Sequence, residues 1–403
     1  MTIPFSIIET LAKEHDSFYV YSEAEIDKSI SALKRCFAGA DILYSIKCNP
    51  NKNVLSAVFS RGLGADAASA AEVFAAREAG VLPKDIFYSA PGKSDGDIIS
   101  TLHECVLIAD SLDEAGRIDA LLRARGERMN IGLRINPDFT FASDSGAASK
   151  FGTDEGDAIA FLRKNACRNA RISGIHIHLK SQETDAKVLA GYYKNVLVLA
   201  RRIAEEFGPL EYVNMGSGIG VQYNAAARAL DLDALSAAAS GEFAAFGARY
   251  PSTRLIIETG RYAVCKSGIY ISRVMDRKVS HGKTYIILKN TLNAFMRPAL
   301  ARLIFKYCNE CSPAGSEPLF SGADAFEFIA PYPERPRETV TLAGNLCTAC
   351  DTVAEDITLP RVERGDIVLI TNAGSYAAAL SPMQFSSQGA IPEIFITKDG
   401  KTI

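Results

Sequence analysis

Three ionisable residues that could take part in catalysis stand at or near the ends of apolar, β-rich segments. Lys47 ends the segment that begins at Ile42, Glu258 ends the one that begins at Leu255, and His178 lies on a third. A lysine amine can form a Schiff base with a carbonyl cofactor, and burial would favour this by lowering its pKa. A carboxylate beside a cofactor ring nitrogen would keep that nitrogen protonated. The pattern therefore indicates cofactor-assisted chemistry.

Each of these residues also has a structural interpretation. Lys47 could extend along the rim into solvent, and Glu258 could form a salt bridge with Arg261. His176 and His178 alternate on one segment, and we expect them to face opposite sides, so that only one points inward. A single histidine on a strand is usually structural, so its position alone does not assign His178 to catalysis.

Two glycine-containing turns follow neighbouring strand-like segments. The first is Met-Gly-Ser-Gly-Ile-Gly at 215–220, and the second is Thr-Gly-Arg at 259–261. Glycine lets backbone N–H groups approach a phosphate without obstruction by a Cβ atom. The spacing is not that of a dinucleotide-binding fingerprint. These turns are candidates for a phosphate site.

The elements that must position these residues alternate between strand-like and helical segments from about residue 41 to 260. The predicted strands are Ile42–Lys47, Gly64–Ala67, Asp85–Ser89, Cys105–Ala109, Asn130–Ile135, Ser173–Leu179, Tyr212–Met215 and Leu255–Glu258. The predicted helices are Asn53–Arg61, Ala71–Gly80, Leu112–Arg125, Ala158–Lys164, Ala186–Phe207 and Leu232–Arg249. Eight strands favour an α/β fold of the (β/α)8 barrel type over a doubly wound open sheet. In such a barrel the polar residues at the strand ends would meet.

The pattern changes after residue 268, where long helices almost vanish apart from a candidate at Pro298–Tyr307. The predicted strands there are Ile269–Val274, Thr284–Lys289, Glu338–Leu342, Ile367–Thr371 and Glu393–Thr397. We therefore predict a barrel domain over 26–268 and an all-β domain built from 1–25 and 269–403. Phe18–Tyr21 would pair with the second domain. The stretch Asn309–Ala323 is predicted to be a surface loop.

Composition excludes several classes of protein. The 403 residues carry 44 Lys and Arg against 47 Asp and Glu, a net charge of −3, so there is no basic excess for nucleic-acid binding. No apolar run is long enough to span a membrane, and Met1–Glu9 lacks the pattern of a signal peptide, so we expect a cytoplasmic protein.

The nine cysteines form an odd count that argues against a disulfide framework. Cys308 and Cys311, and likewise Cys347 and Cys350, have the spacing of zinc ligands. No other ligand cluster accompanies them, so we predict separate thiols and no metal site.

Eight ordered motifs resemble those of the fold-type III pyridoxal-phosphate decarboxylases, and most closely the diaminopimelate and ornithine decarboxylase family. The motifs are Tyr-Ser-x-Lys-x-Asn-Pro around Lys47, Ser149–Gly152, His176-x-His178-x-x-Ser181-Gln182, Gly216–Gly218, Glu258–Arg261, Arg297–Leu300, Cys347-x-x-x-Asp351 and Ala373-Gly374-x-Tyr376. The similarity spans about residues 18 to 397. It implies an alanine-racemase-like barrel and the cofactor pyridoxal 5′-phosphate.

The resemblance also implies a role for each site residue. Lys47 would hold the cofactor covalently, His178 would stack on its ring, and Glu258 would pair with the ring nitrogen. The phosphate would be bound by Ser181, Gly216, Ser217, Gly218, Gly260, Arg261 and Tyr376. Asp66 and Glu72 match acidic positions near the cofactor. The substrate pocket would contain Arg261, Arg297, Cys347, Thr348 and Tyr376.

Family active sites form at the interface of a homodimer, so Cys347 would reach the neighbouring subunit's site. The resemblance further implies release of CO2 from the substrate's Cα, followed by return of a proton from Cys347 or Lys47. Both sources remain open.

Three departures from the family pattern bear on the substrate. Thr348 stands where diaminopimelate decarboxylases usually have Glu, Ala301 where they usually have Tyr, and Lys180 where Gly is common. The lost carboxylate would remove the preference for a distal ammonium, and Ala301 would leave room for a larger group. Arg297 would still favour an anion.

We therefore expect an amino-acid decarboxylase for a substrate with a distal carboxylate or other anionic group, of the kind found in siderophore or secondary-metabolite assembly. Diaminopimelate decarboxylation to L-lysine is the first alternative. A non-catalytic regulatory homologue that binds pyridoxal phosphate is the second. A racemase is disfavoured, because related racemases place an arginine at the ring nitrogen where this chain has Glu258.

Overall fold

The computed structural model describes residues 3–307 and 324–403, without the side chain of residue 307. Its strands are β1 (Ser17–Ser22), β2 (Asp41–Ser45), β3 (Gly64–Ala67), β4 (Ile86–Tyr88), β5 (Val106–Ala109), β6 (Met129–Asn136), β7 (Thr153–Asp154), β8 (Ala170–His176), β9 (Tyr212–Asn214), β10 (Arg254–Thr259), β11 (Gly268–Ser280), β12 (Lys283–Leu288), β13 (Phe328–Ile329), β14 (Arg337–Gly344), β15 (Thr352–Pro360), β16 (Ile367–Ile370) and β17 (Glu393–Ile396). Its α-helices are α1 (Phe5–Leu11), α2 (Glu23–Cys36), α3 (Lys52–Phe59), α4 (Ala70–Glu78), α5 (Asp95–Thr101), α6 (Leu112–Arg125), α7 (Glu155–Lys164), α8 (Ala186–Phe207), α9 (Leu232–Arg249), α10 (Arg261–Val264) and α11 (Met296–Tyr307).

Eight parallel strands close into a barrel. They follow the order β5-β4-β3-β2-β10-β9-β8-β6, and a β5–β6 pairing joins the two ends, while β7 adds to the outside of β6. Closure removes every exposed edge of the eight-stranded cylinder. The predicted (β/α)8 barrel is confirmed, and the open sheet is excluded.

The barrel interior is filled by apolar side chains that alternate with outward-facing ones. One buried cluster joins Leu43, Phe87, Ile108, Tyr212 and Ile256 from five strands. Gly132 on β6 and Gly174 on β8 leave the space that the Tyr212 ring of β9 occupies, since a Cβ at either glycine would overlap that ring. Side chains from adjacent strands thus fix each other's size in this layer.

The second sheet has the order β13-β16-β11-β12-β14-β15, and β1 joins it by pairing antiparallel with β11 and parallel with β17. The pairing of Phe18–Tyr21 with this sheet, predicted from the sequence, is confirmed. A second, mostly-sheet domain is also confirmed, although α1 and α11 belong to it, so it is not purely β. The predicted helix at Pro298–Tyr307 corresponds to α11.

The chain divides into two compact units, one of residues 30–220 and 229–260 and the other of residues 1–29, 221–228 and 261–403. We call them the barrel unit and the sheet unit. The segment 221–228 belongs to the sheet unit although barrel residues flank it. The predicted domain limits of 26–268, and of 1–25 with 269–403, remain predictions. In the part of the chain described here, none of the helices has the length and apolar character needed to span a membrane.

Candidate active site

The carboxyl ends of the barrel strands bring Lys47 and Asp66 together. β2 ends at Ser45, and a single 3-10 turn then places the Lys47 Nζ atom 3.3 Å from Asp66 Oδ2. The Lys47 side chain is 47% exposed, which agrees with the rim position, one of the two alternatives that the sequence left open. Asp66 is fully buried and also accepts hydrogen bonds from Ser45 Oγ at 2.7 Å and Ser89 Oγ at 2.9 Å. These donors hold Asp66 in place beside the lysine amine.

Glu72 lies in the first turn of α4 and helps to cap the N-terminus of that helix. Its Oε2 atom accepts a hydrogen bond from the Ala68 N–H at 2.7 Å, and the Ser69 side chain caps the same end. Burial raises the pKa of the Glu72 carboxyl. Within the barrel unit, the structure thus gives Glu72 a helix-capping contact.

Glu258 forms the centre of a buried polar cluster on β10. Its Oε1 atom accepts a hydrogen bond from Asn214 Nδ2 at 2.9 Å and lies 3.2 Å from His176 Nε2. Burial opposes ionisation of this carboxyl, but His176, His178 and Lys47 together lower its pKa well below the usual range. Oε2 receives no hydrogen bond from the described residues. A charged carboxylate oxygen is therefore left for another donor.

His178 lies beyond the end of β8, and its ring is neutral. The Ser217 N–H donates to His178 Nδ1 at 3.1 Å, which places the ring proton on Nε2. Burial, with Arg134 and Lys47 adding to it and Glu258 opposing, lowers the pKa of His178 to about 3, even though 27% of the side chain is exposed. A neutral and partly exposed imidazole can stack on a flat ring without adding charge.

The expectation that His176 and His178 face opposite sides is wrong. Both approach the same carboxylate, with His176 Nε2 3.2 Å from Glu258 Oε1 and His178 Nδ1 3.9 Å from Oε2. Residues two apart on a strand point to the same face of a sheet, so the alternation of His176 and His178 predicts a shared side and not opposite ones.

The glycine turn after β9 requires residues without side chains. Gly216 has φ +63°, and a Cβ there would lie 2.5 Å from the Ile177 carbonyl oxygen and 2.8 Å from the His178 Cβ atom. Gly218 has φ +123°, and its Cβ would lie 3.0 Å from the Phe141 ring. Gly260 follows β10, and Ser181 lies between β8 and α8. Glycine at positions 216 and 218 therefore lets the turn pass close to Ile177, His178 and Phe141.

The sheet unit contains two buried arginines that share one partner. Arg297 is 1% exposed and Arg261 5% exposed, and both donate to the Tyr223 hydroxyl, Arg297 Nη2 at 3.0 Å. Arg297 Nη1 also donates to the Ser375 carbonyl at 3.0 Å. The Arg261 guanidinium lies 5.3 Å from the centre of the Tyr376 ring. Buried guanidinium groups of this kind are suited to binding a carboxylate or phosphate.

Cys347 and Thr348 lie on a loop that a buried aspartate holds. Asp351 accepts hydrogen bonds from the N–H groups of Leu346 and Leu292, each at 2.9 Å, and from the Thr291 hydroxyl. Cys347 is exposed, with its thiol reduced. The Cys347 loop is therefore anchored at its base and open at its tip.

Of the two cysteine pairs with the spacing of zinc ligands, only Cys347 and Cys350 lie within the described residues, 3–307 and 324–403. There, no group of three or more His, Cys, Asp or Glu side chains is arranged to hold a metal ion. Cys350 is exposed like Cys347, and both thiols are reduced. Cys308, Cys311 and the predicted loop Asn309–Ala323 lie outside the described residues.

Pyridoxal phosphate suits the groups of the barrel unit. Lys47 supplies a half-exposed amine, and Glu258 Oε2 is an ionised acceptor without a hydrogen-bond donor among the described residues. The glycine-containing turn at 216–218 follows β9 at the same end of the barrel. This donor set matches a cofactor with a carbonyl group, a basic ring nitrogen and a phosphate.

Sequence reasoning missed several residues of this site. Ser45, Ser89 and Asn214 each stand at or just after the end of a barrel strand, so the same positional rule could have found them. They were overlooked because they carry no charge. Tyr223 gave no signal, since it lies in an irregular segment.

Acid should destabilise the barrel unit through His178 and Glu258. The pKa of His178 falls from 6.5 to about 3 on folding, so its contribution to stability is fully present above pH 6.5 and is lost as the pH falls toward 3. The pKa of Glu258 also falls on folding, from 4.5, so its contribution is lost below that pH. Urea unfolding should give a free energy that declines from about pH 6.5 downward, and His178→Gln should flatten the decline between pH 6.5 and 4.5. Equal slopes in both proteins would contradict this assignment.

Comparison with known proteins agrees with this geometry. Residues 23–265 match the family described as "Pyridoxal-dependent decarboxylase, pyridoxal binding domain". L-glutamyl-[BtrI acyl-carrier protein] decarboxylase from Niallia circulans is 29% identical over 96% of this chain and 90% of that protein. Diaminopimelate decarboxylase from Thermoplasma acidophilum is 29% identical over 98% and 91%.

Solved structures show the same architecture. Diaminopimelate decarboxylase from Helicobacter pylori, complexed with L-lysine, superimposes with a TM-score of 0.82 at 25% identity and covers 98% of this chain and 95% of that one. The family match covers more than half of the chain and includes the lysine, the histidine and the glutamate of the barrel site. The chain therefore belongs to the pyridoxal-dependent decarboxylases, enzymes whose cofactor is pyridoxal phosphate.

Proposed function

We propose that this decarboxylase acts on an amino acid that carries a distal carboxylate or another anionic group. The observation that carries the proposal is the pair of buried guanidiniums, Arg261 and Arg297, that meet at the Tyr223 hydroxyl. No carboxylate of the described chain forms an ion pair with Arg261, whose Nη2 atom is buried without a hydrogen-bond partner there. A buried cation without a counter-charge among the described residues, as Arg261 is, favours an anionic ligand.

In the proposed mechanism, Lys47 would hold the cofactor through its amine, and the amine of the substrate would replace the Lys47 nitrogen in that bond, which frees the lysine. Bound pyridoxal phosphate supplies a ring that accepts the electron pair released when CO2 leaves Cα. Asp66 accepts a hydrogen bond from Lys47 Nζ and so orients the amine. Glu258 Oε2 would hold a proton at the ring nitrogen, and the neutral His178 ring would contact the cofactor without competing for that proton.

We assign the phosphate to donors from several turns. These are Ser181, Gly216, Ser217, Gly218, Gly260, Arg261 and Tyr376. The Nη2 donor of Arg261, which makes no hydrogen bond to a described residue, supports this assignment. The remaining donor sites of this arginine would serve the substrate.

We further propose a cytoplasmic homodimer with shared active sites. Cys347 is exposed at the tip of an anchored loop, which suits a thiol that acts in a neighbouring subunit's site. Either Cys347 or Lys47 then returns a proton to Cα. Thr348 would lie beside the substrate without a charge.

The substrate is proposed to be an acidic amino acid or a conjugate of one, such as a siderophore or secondary-metabolite precursor. Ala301 and Thr348 support this, because neither offers a carboxylate to a distal ammonium. The relative from Niallia circulans, an L-glutamyl-[BtrI acyl-carrier protein] decarboxylase, points in the same direction. Diaminopimelate remains the second candidate, since other relatives are diaminopimelate decarboxylases.

A substrate screen by CO2 release tests the proposal. The panel is glutamate, γ-linked glutamyl conjugates, citrate-containing siderophore precursors, meso-diaminopimelate, lysine and ornithine. We expect kcat/KM to be at least about 100-fold higher for the best anionic substrate than for lysine, because an unpaired buried cation would remain with lysine. Preference for diaminopimelate would establish the second candidate. No CO2 from any compound, with cofactor bound, would favour the non-catalytic homologue.

The double variant Thr348→Glu with Ala301→Tyr should raise diaminopimelate activity by about tenfold, the value of one charge-assisted contact. Steady-state kinetics on diaminopimelate and on the best anionic substrate measure the change. The control is Thr339→Glu, which adds the same charge at an exposed position of β14. No gain, or an equal gain in the control, would mean that Thr348 and Ala301 do not set specificity.

A further inference from the structure

The Tyr223 hydroxyl lies between two buried cations of the sheet unit. Arg261 Nη1 and Arg297 Nη2 both donate a hydrogen bond to it. A guanidinium has donors only, so the phenolic oxygen must be the acceptor in both contacts. Its own proton points elsewhere, and none of the residues 3–307 and 324–403 accepts it. The Tyr223 hydroxyl can therefore donate one more hydrogen bond, to a bound ligand.

Two further buried donors belong to the same cluster. Arg261 Nη2 and Ser375 Oγ make no hydrogen bond to any described residue. Ser375 is tied to the cluster because its carbonyl oxygen accepts a bond from Arg297 Nη1 at 3.0 Å. Buried donors are nearly always satisfied in folded proteins. Three unused donors beside two buried cations indicate a binding place for one oxyanion.

Tyr223 is held by contacts that do not depend on the arginines. Its carbonyl oxygen accepts a hydrogen bond from Asn372 Nδ2 at 2.9 Å, and the same amide group donates to the Ala325 carbonyl at 2.7 Å. The Tyr223 ring lies against Phe326, with 6.3 Å between the ring centres. The hydroxyl is therefore a fixed point to which the two longer and more flexible arginine side chains are fastened.

We propose that Tyr223 is a positioning residue that holds Arg261 and Arg297 in place for a bound oxyanion and donates a hydrogen bond from its hydroxyl to that anion. The anion is a phosphate monoester or a carboxylate, because both present several oxygens to a forked guanidinium. It belongs either to the cofactor or to the substrate. This inference rests on the proposed function only where the anion is the substrate's distal carboxylate.

The test compares Tyr223→Phe with the wild-type protein and with Tyr332→Phe. The Tyr223 variant keeps the ring and loses only the hydroxyl. Tyr332 lies in the same unit, its ring packs on the Arg335 guanidinium at 4.0 Å, and its hydroxyl accepts a bond from the Ile367 N–H at 3.0 Å. Tyr332→Phe is therefore a matched control, because it also removes a tyrosine hydroxyl near an arginine but leaves the Arg261 and Arg297 cluster intact. Thermal unfolding of all three proteins checks that they fold.

Two pairs of probes distinguish the sources of the oxyanion. Calorimetry on the holoenzyme measures binding of glutarate against butyrate, which lacks the second carboxylate. Equilibrium binding to cofactor-free protein measures pyridoxal phosphate against pyridoxal, which lacks the phosphate. Tyr223→Phe loses one charge-assisted hydrogen bond and the fixed geometry of the arginines. Its affinity for the anion that occupies this place should therefore fall by about tenfold or more.

If Tyr223→Phe loses affinity for glutarate but not for butyrate, the oxyanion belongs to the substrate. If it loses affinity for pyridoxal phosphate but not for pyridoxal, the oxyanion belongs to the cofactor. Either result supports the role of Tyr223. The proposal is overturned if Tyr223→Phe binds both anions as tightly as Tyr332→Phe does. It is also overturned if Tyr223→Phe loses as much affinity for butyrate and pyridoxal as for glutarate and pyridoxal phosphate. If the wild-type protein does not prefer glutarate to butyrate, the proposed substrate preference fails, and the pyridoxal phosphate comparison still decides the role of Tyr223.

Discussion

Lys47→Ala should abolish decarboxylation, with kcat falling on the order of 10⁴-fold or more, as expected when a covalent catalytic group is removed. The visible absorbance of covalently held cofactor should vanish with it. Added pyridoxal phosphate will still bind through the other donors, but it will wash out on desalting. CO2 release and the absorption spectrum before and after desalting measure both effects.

The same variant should fold normally. Lys47 is half exposed, and Asp66 keeps its hydrogen bonds from Ser45 and Ser89, so little stability depends on the amine. Lys283→Ala is a matched control, because Lys283 also pairs with an aspartate, Asp356, at 3.2 Å. That variant should retain full activity. An unchanged visible spectrum in Lys47→Ala would refute the assignment of the lysine.

Glu258→Gln should lower kcat by about 10²- to 10³-fold while leaving the cofactor attached to Lys47. The amide has the same size but no charge, so it cannot hold a proton at the ring nitrogen, and the electrons left by CO2 are accepted less readily. His176 and Asn214 both approach Oε1, so the amide will place its oxygen there and turn its NH2 group toward the ring. A donor would then face the nitrogen where an acceptor is required.

Glu211→Gln serves as the control for Glu258→Gln. Glu211 immediately precedes β9, at the amino end of the barrel, and its carboxylate accepts a bond from Ser173 Oγ at 3.0 Å. It should leave kcat unchanged. A kcat for Glu258→Gln within a few-fold of wild type would remove Glu258 from the mechanism. Racemisation of the substrate without CO2 release by the wild-type protein would instead favour the racemase alternative.

Most of the barrel was predictable because buried parallel strands are short apolar runs between amphipathic helices. β3, α6, α8 and α9 have the bounds that the sequence predicts. The helix α2 was not predicted, because its many charged residues mask its apolar stripe. The strand β15 was not predicted either, because polar residues interrupt its hydrophobic ones on a sheet with an exposed face. Local pattern predicts an element only where burial dominates its composition.

The site was predictable to the extent that charge marks it. Lys47, Asp66 and Glu258 follow from the rule that polar groups gather at the carboxyl ends of barrel strands. The rule does not tell which partner each group meets. The bond from Ser217 N–H to His178 Nδ1 depends on a turn geometry that sequence spacing does not encode. Tyr223 is still harder to predict from the sequence, because only the tertiary fold brings its segment into contact with Arg261 and Arg297.

The layer in which Tyr212 lies over Gly132 and Gly174 has an evolutionary consequence. The three positions occupy neighbouring strands, β6, β8 and β9, and share one volume. A larger residue at either glycine becomes acceptable only after the tyrosine has shrunk, and a smaller residue at 212 opens a hole that the glycines alone do not fill. Single steps in either direction pass through a less stable protein. These three sites should therefore change together among descendants of this barrel, and mutational libraries should vary them as one unit.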